Sequence, residues 1–410
     1  MRIVLFTGKG GVGKTTLAAA TAAHLARAGR KTLVVSTDAA HSLGDALEAD
    51  LGGEPTEVDG GLFAAHVDAR ALLEGSWGRL QEHLRTLLVG AGVDELAADE
   101  LTVLPGVEEL LALAEVRRAA ETGPWDVVVV DCGPTGETLR LLALPEAVIG
   151  YLERLFPAHR RAVRRLTGLA GGGTREERAE SALRWDRTAG ALDALAAELV
   201  DLRALLDPTR TSVRLVLTPE RVVAAESRRT LTAMALHGLH VDGLIANRVV
   251  PAPSPRAAGP AAAWLRERGT EQAAVLADLA GLGVPVRTVE YAAAEPTGVA
   301  ALLELADGLW AGDDPAADPG PVAPLLALRR TAGTGTSPES EFELALHLPG
   351  VGSAALDLAR VGDELAVTAA GARRLVALPA VLRRCTVTRA RLDGDDLRVT
   401  FRPDPAVWLR

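Results

Sequence analysis

Apolar positions follow two rhythms along this chain. Up to about residue 310, short unbroken apolar runs alternate with longer helical patterns. Ile3–Phe6, Thr32–Ser36, Val127–Val130, Val213–Leu217, Leu244–Ala246 and Val284–Val286 read as buried strands. Between them, Leu17–Ala28, Leu43–Leu47, Leu72–Leu88, a segment opening at Leu104–Leu110 and a segment carrying Glu226 and Arg229 read as helices. Strands without internal alternation, separated by helices, predict a mostly parallel sheet with helices on its faces. Ile149, Leu152, Leu155 and Phe156 form one further apolar stripe, and Leu192, Leu195, Leu199, Leu202 and Leu206 another. Past residue 340 helical patterns give way to successive strands: Phe342–Leu346, Ala355–Ala359, Glu364–Thr368, Arg373–Leu378, Cys385–Leu392 and Leu397–Phe401. Asp313–Val322 and Thr331–Pro338, rich in small, polar and proline residues, read as linker, with Ala323–Arg330 unassigned between them. The expected organisation is an α/β unit over 1–312, a linker over 313–340 and an all-β sandwich over 341–410.

Composition narrows this picture. Apolar residues make up 48% of the 410 positions but aromatics only 3%, so Leu, Val and Ala must do most of the packing. A net charge of −10 argues against broad nucleic-acid binding. Cys132 and Cys385 are the only cysteines and lie far apart, which excludes an intrachain tetrathiolate zinc site and a disulfide framework. No cleavable leader pattern opens the chain, and no stretch reaches the roughly 18 apolar residues of a membrane span. The expectation is a soluble, cytoplasmic protein with no stable membrane insertion.

The candidate chemistry begins where the first strand ends. Gly8-Lys9-Gly10-Gly11-Val12-Gly13-Lys14-Thr15-Thr16 lies between a strand and a helix and fits the phosphate-binding spacing G-x-x-x-x-G-K-[ST]. Glycines let successive backbone N–H groups converge, and the helix N-terminus adds positive potential. Lys14 is placed to reach the β- and γ-phosphates, and Thr15 to hold Mg²⁺ through its hydroxyl. Asp131 closes the most apolar strand and is placed to bind that ion through a water. The expected cofactors are ATP and Mg²⁺, and the expected fold is that of a P-loop NTPase.

Lys9 makes the loop more specific. The form G-K-G-G-V-G-K-T resembles the deviant Walker A ATPases, which include partition ATPases, nitrogenase iron protein and arsenical-pump ATPases. The resemblance implies that Lys9 completes the site of a second copy, so that the working unit is a homodimer; otherwise Lys9 is a solvated loop lysine. Ser36-Thr37-Asp38-Ala39-Ala40-His41-Ser42-Leu43 and Pro134-Thr135-Gly136-Glu137-Thr138-Leu139-Arg140-Leu141 look like the two switches of the arsenical-pump and guided-entry (tail-anchored protein targeting) ATPases. By that likeness Asp38 orients or activates the attacking water, the alternative being a helix cap. Glu220 and Asn247 resemble nucleotide-contact positions, Asn247 toward the adenine edge, the alternative being turn or strand-end caps. Lys9, Lys14 and Asp38 are thus the catalytic candidates.

The likeness further implies an inserted helical subdomain, approximately 62–120 and 147–210, that builds a groove for a hydrophobic client or a membrane-protein segment. Packing of the same stripes on the sheet is the competing reading. This chain departs from the family pattern at Ala39 (usually proline), Cys132 (usually threonine) and Glu137 (usually histidine), and Ala252–Ala263 lacks the C-x-x-C that some members carry. The segments L-P-G-V, R-V-G-D-E-L and R-R-L-V, read with the strands around them, resemble an α-crystallin (small heat-shock protein) sandwich. The implied function is a targeting or chaperone ATPase. An arsenite or antimonite transport ATPase and a partition or positioning ATPase are the alternatives.

Overall fold

The computed structural model describes residues 1–38, 42–67, 107–136, 200–318, 320, 322, 324–352 and 356–408, with the side chains of 107–110 left aside. The expected helix Leu72–Leu88, most of the helical subdomain, and the switch residues Ala39–His41 and Glu137–Pro145 lie outside the described residues.

The first unit is an eight-stranded sheet. Its strands are β1 (Arg2–Gly8), β2 (Thr32–Ser36), β3 (Thr56–Asp59), β4 (Leu62–His66), β5 (Val127–Pro134), β6 (Thr211–Leu217), β7 (Val241–Val249) and β8 (Val286–Glu290). The order is β3-β4-β2-β5-β1-β6-β7-β8, parallel except for β3. β5 sits between β2 and β1, so both faces of Val127–Val130 are covered and an unbroken valine run is what the position requires. The six strands expected from sequence are all present, the last beginning two residues late at Val286. The hairpin β3–β4 was not expected, and it corrects the start of the helical subdomain: Leu62–His66 is sheet.

Among the described residues six helices flank these strands: α1 (Lys14–Arg27), α2 (Ser42–Leu47), α3 (Val107–Thr122), α4 (Arg221–Leu236), α5 (Pro260–Ala280) and α6 (Gly298–Trp310). In α1, runs of alanine let the helix lie close between the sheet and α6, and Leu17, Leu25 and six alanines share one core with Phe6, Leu302 and Trp310. Burying a leucine such as Leu17 contributes about 2 kcal/mol. On the opposite face, Ala112, Leu113, Val116 and Ala119 of α3 pack with Leu202, Leu205 and Leu206 onto Val128 and Val130. The described part of the Leu192–Leu206 stripe therefore covers the sheet, whereas Ile149–Phe156 lies outside the described residues.

The second unit joins a four-stranded sheet, order β14-β15-β10-β9, to a three-stranded sheet, order β11-β12-β13. Its strands are β9 (Leu326–Ala332), β10 (Glu341–His347), β11 (Leu356–Val361), β12 (Glu364–Ala369), β13 (Ala372–Ala377), β14 (Cys385–Asp393) and β15 (Asp396–Pro403), with a short helix α7 (Ala380–Arg383) before β14. Phe342, Leu344, Val367, Val376, Val399 and Phe401 form its core. β9 lies within the stretch expected as linker. It is an edge strand whose side chains are nearly all exposed, so it carries no apolar alternation.

Asp313–Ala316, at the start of that stretch, lie against the amino ends of the first sheet. Asp313 pairs with Arg287 at 2.6 Å, Asp314 with Arg30, and the Pro315 carbonyl accepts from the buried Arg214 guanidinium. Ala316 is buried in the α1 core. Arg214 itself stacks over the Trp310 ring at 4.5 Å and bonds Asp242 at 3.4 Å. At the other end of the interface, Leu236 of α4 is buried in the core of the second unit.

Candidate nucleotide site

Strand register builds the site before any side chain is considered. Phe6 pairs with Asp131 across β1–β5, and Ser36 pairs with Asp131 across β2–β5. The carboxyl ends of three parallel strands are thereby level, the place where open α/β sheets bind ligands. The glycine loop leaves β1 there and turns into α1. Gly13 is the residue before α1 and has φ 92°, a left-handed conformation that favours glycine. A Cβ at Gly13 would also collide with the Asn247 side chain, and one at Gly8 with the Val216 carbonyl of β6. Both glycines are needed for the close approach of neighbouring strands to the loop.

The polar groups converge on Asp131. Thr15 Oγ1 donates to Asp131 Oδ2 at 2.8 Å, and Ser36 Oγ donates to the same oxygen at 2.9 Å. Ser42 Oγ lies 3.2 Å from Thr15 Oγ1. Asp131 is fully buried, and its Oδ1 has no hydrogen-bond partner among the described residues. Burial pushes the Asp131 carboxyl up to about 6, against the pull of Thr15, Ser36 and the Lys14 charge. Lys14, at the first position of α1, is 5% exposed. The Asp38 backbone N–H donates to Ser36 Oγ at 3.3 Å, which ties Asp38 to the same cluster. Gly10, Gly11 and Lys9 are exposed at the mouth, Val12 is buried beneath it, and Thr16 is half-buried.

Donor chemistry and geometry fit a magnesium nucleotide. Thr15, by giving its proton to Asp131, keeps its oxygen lone pairs available to a cation. An unpartnered buried carboxylate oxygen beside it is the group that would gain most from a water held on such an ion.

The outer residues are placed differently. Asn247 Nδ2 donates to the Val12 carbonyl at 2.8 Å, and its Oδ1 accepts from the Arg248 N–H at 2.9 Å, so here its amide braces the glycine loop. Glu220 caps the gap between β6 and α4, is exposed, and pairs with Arg268 of α5 at 2.8 Å. Lys9 Nζ lies 3.4 Å from Glu226 of α4. Sequence reading did not single out Ser36, Ser42 or Gln272. Gln272 is buried on α5 and holds the strand end after Asn247, accepting from Val250 N–H at 2.7 Å and donating to Arg248 O at 3.2 Å. Ser36 could have been found as the last residue of a buried strand ahead of Asp38; a glutamine within a helix carries no such mark.

Cys132 and Cys385 are both buried, in separate cores, and burial raises both thiols above their ordinary value. No helix among the described residues is long and apolar enough to cross a membrane.

Comparison with known proteins bears on both units. Residues 1–311 match the family model described as anion-transporting ATPase (ArsA), and residues 339–401 match the HSP20-like domain found in ArsA. Protein Rv2184c of Mycobacterium tuberculosis is 42% identical over 99% of this chain and 97% of its own length. A putative arsenical pump-driving ATPase of Prosthecochloris vibrioformis is 33% identical over 93% and 91% of the two chains. An ATPase ASNA1 homolog of Cryptosporidium parvum is 28% identical over 61% and 66%.

Proposed function

The chain belongs to the ArsA-type anion-transporting ATPase family and is an ATPase, and on that premise we propose that it works as a Mg²⁺-dependent homodimer coupling its nucleotide state to a hydrophobic protein client. The observation that carries the hydrolytic half is the Thr15–Asp131–Ser36 cluster, with its unpartnered buried carboxylate oxygen, beside Lys14 at the end of the glycine loop. In this reading the loop N–H groups and Lys14 hold the phosphates. Thr15 holds the cation directly and Asp131 holds it through a water. When bound, the ion neutralises charge on the phosphate oxygens. Asp38 orients the attacking water, and Lys9 serves the partner copy.

The client half is supported by the HSP20-like second unit, which resembles a small heat-shock protein sandwich, and by its contact with α4. Sheet edges such as β9 offer an extended segment a place to add a strand. The printed name of the Prosthecochloris relative favours a second reading, metalloid transport. Soft metalloids call for several thiolates together, whereas both thiols of this chain lie buried in separate cores.

Asp38→Asn tests the proposal. ATP binding should stay near parental while turnover falls roughly 10²-fold, since water activation is lost and the phosphate cradle is kept. Crosslinking of the trapped ATP state should then recover protein clients. Near-parental turnover would make Asp38 structural. Stimulation of the parental rate by arsenite or antimonite would replace the client reading with transport.

A further inference from the structure

One helix touches both the glycine loop and the second unit. Near its start, α4 presents Glu226 to Lys9 of the loop at 3.4 Å. Six residues on, about 9 Å along the helix axis, Thr232 Oγ1 donates to the Pro349 carbonyl of the second unit at 2.8 Å. At its last residue, Leu236 is buried among Phe342, Leu344 and Val367, and its carbonyl accepts from Arg374 at 2.7 Å. Gly350, with φ 73°, lies against the same helix: a Cβ there would stand in ordinary contact with Arg228 and Thr232, at 3.5 and 3.8 Å, and more tightly against Leu282, at 3.3 Å. Arg228 is in turn ion-paired with Asp278 of α5. The face of α4 that carries Arg228 and Thr232 also borders a cavity of about 290 Å³ shared with Gly350, Val351 and Val275. The contact thus combines a polar anchor at Thr232 with a largely apolar one at Leu236, and the cavity beside Arg228 and Thr232 leaves α4 room for a small shift.

Lys9 has two mutually exclusive uses. Held by Glu226, it stays on its own chain; serving a second copy, it must leave Glu226. We propose that Glu226 is a positioning residue that withholds Lys9, and that the second unit sets the strength of this hold through α4. The inference rests on the assignment of Lys9 to the partner's site made above. The two-state element is the ion pair itself, and both ends of α4 bias it, which is the physical requirement for coupling between distant sites. A population of Lys9 held in cis lowers the fraction of chains competent to dimerise and so raises the concentration needed. An exposed pair of this kind biases such a choice by roughly two- to fivefold.

The test uses the full chain and four variants: Glu226→Gln, Glu226→Asp, Thr232→Val and Glu226→Gln with Thr232→Val. Without nucleotide, hydrogen exchange of the peptide covering residues 8–16 reports how firmly the loop is held. With ATP and Mg²⁺, sedimentation gives the concentration at half dimerisation, and steady-state assays give kcat and KM. Glu226→Gln should speed loop exchange, lower the dimerisation midpoint two- to fivefold and raise kcat by a similar factor below that midpoint, with KM for ATP unchanged. Glu226→Asp should fall between it and the parent. Thr232→Val should move loop exchange in the same direction, and the double variant should add nothing to Glu226→Gln, since both act on one contact. Parental exchange and midpoint in Glu226→Gln would overturn the hold. An effect of Glu226→Gln with none of Thr232→Val, or with strict additivity in the double variant, would overturn the relay to the second unit. Lys9→Ala separates this from the underlying reading: parental dimerisation and turnover there would remove the role of Lys9 itself.

Discussion

Asp131→Asn should stabilise the nucleotide-free protein while abolishing its activity. The carboxyl is fully buried, its Oδ2 accepts from Thr15 and Ser36, and its Oδ1 has no partner among the described residues. Burial raises it from the ordinary 3.8 to about 6. The folded chain therefore binds this proton more tightly than the unfolded chain does. Where the unfolded state binds fewer protons, stability falls as pH rises. The contribution of Asp131 is thus most favourable below pH 3.8, declines between 3.8 and about 6, and is constant above. At 1.36 kcal/mol per tenfold, that gap corresponds to roughly 3 kcal/mol. Asparagine is neutral at every pH, and its carbonyl oxygen can still accept from Thr15 and Ser36. In urea unfolding, Asp131→Asn should exceed the parent by roughly 3 kcal/mol at pH 8, by about half of that at pH 5, and by nothing below pH 3.8. Equal or lower stability of the variant at pH 8 would show that the charge is solvated in the folded chain and refute the buried, cation-awaiting reading.

Other expectations follow from single contacts. Asn247→Ala removes the brace on Val12, so unfolding free energy should fall by about 1 kcal/mol and ATP affinity, measured by titration calorimetry, should weaken. Gly13→Ala meets both a left-handed φ and the Asn247 side chain, so nucleotide binding should be lost before folding is, as circular dichroism alongside calorimetry would show. A chain ending at Asp313 lacks the Asp314, Pro315 and Ala316 contacts and should melt below one ending at Asp318 by differential scanning fluorimetry. Native protein at pH 7.5 should leave Cys132 and Cys385 unlabelled by maleimide, because both thiols are buried and held protonated.

The parallel sheet was legible because buried strands need unbroken apolar runs, and Val127–Val130 shows this most plainly. The glycine loop was legible because phosphate binding requires glycines at fixed spacing ahead of a helix. Strand register, by contrast, is a property of pairs of segments. Ser36 becomes informative only once β2 and β5 align it with Asp131. The hairpin β3–β4 and the edge strand β9 escaped notice for a simpler reason. β3 and β9 face solvent along most of their length, so no inward-facing apolar set marks them. The use of the Asn247 amide to brace Val12 also depends on a contact 235 residues distant in sequence. Periodicity identified the stripe Leu192–Leu206, but only packing decided that its described part, with Leu202 and Leu206, covers the sheet.

The anchoring of Asp313–Ala316 under the sheet has a consequence for how strongly the second unit must hold on to α4. With that anchor fixed, only the nine residues 317–325 separate the last anchored residue, Ala316, from β9. Fully extended, such a tether spans at most ~36 Å, so a detached sandwich would explore only a small sphere around its dock. Short tethers of this kind give local concentrations on the order of millimolar. A docking surface with only millimolar intrinsic affinity would then divide its time evenly between attached and detached states. On those terms the sandwich would pass between α4 and another ligand while staying in the neighbourhood of the ATPase.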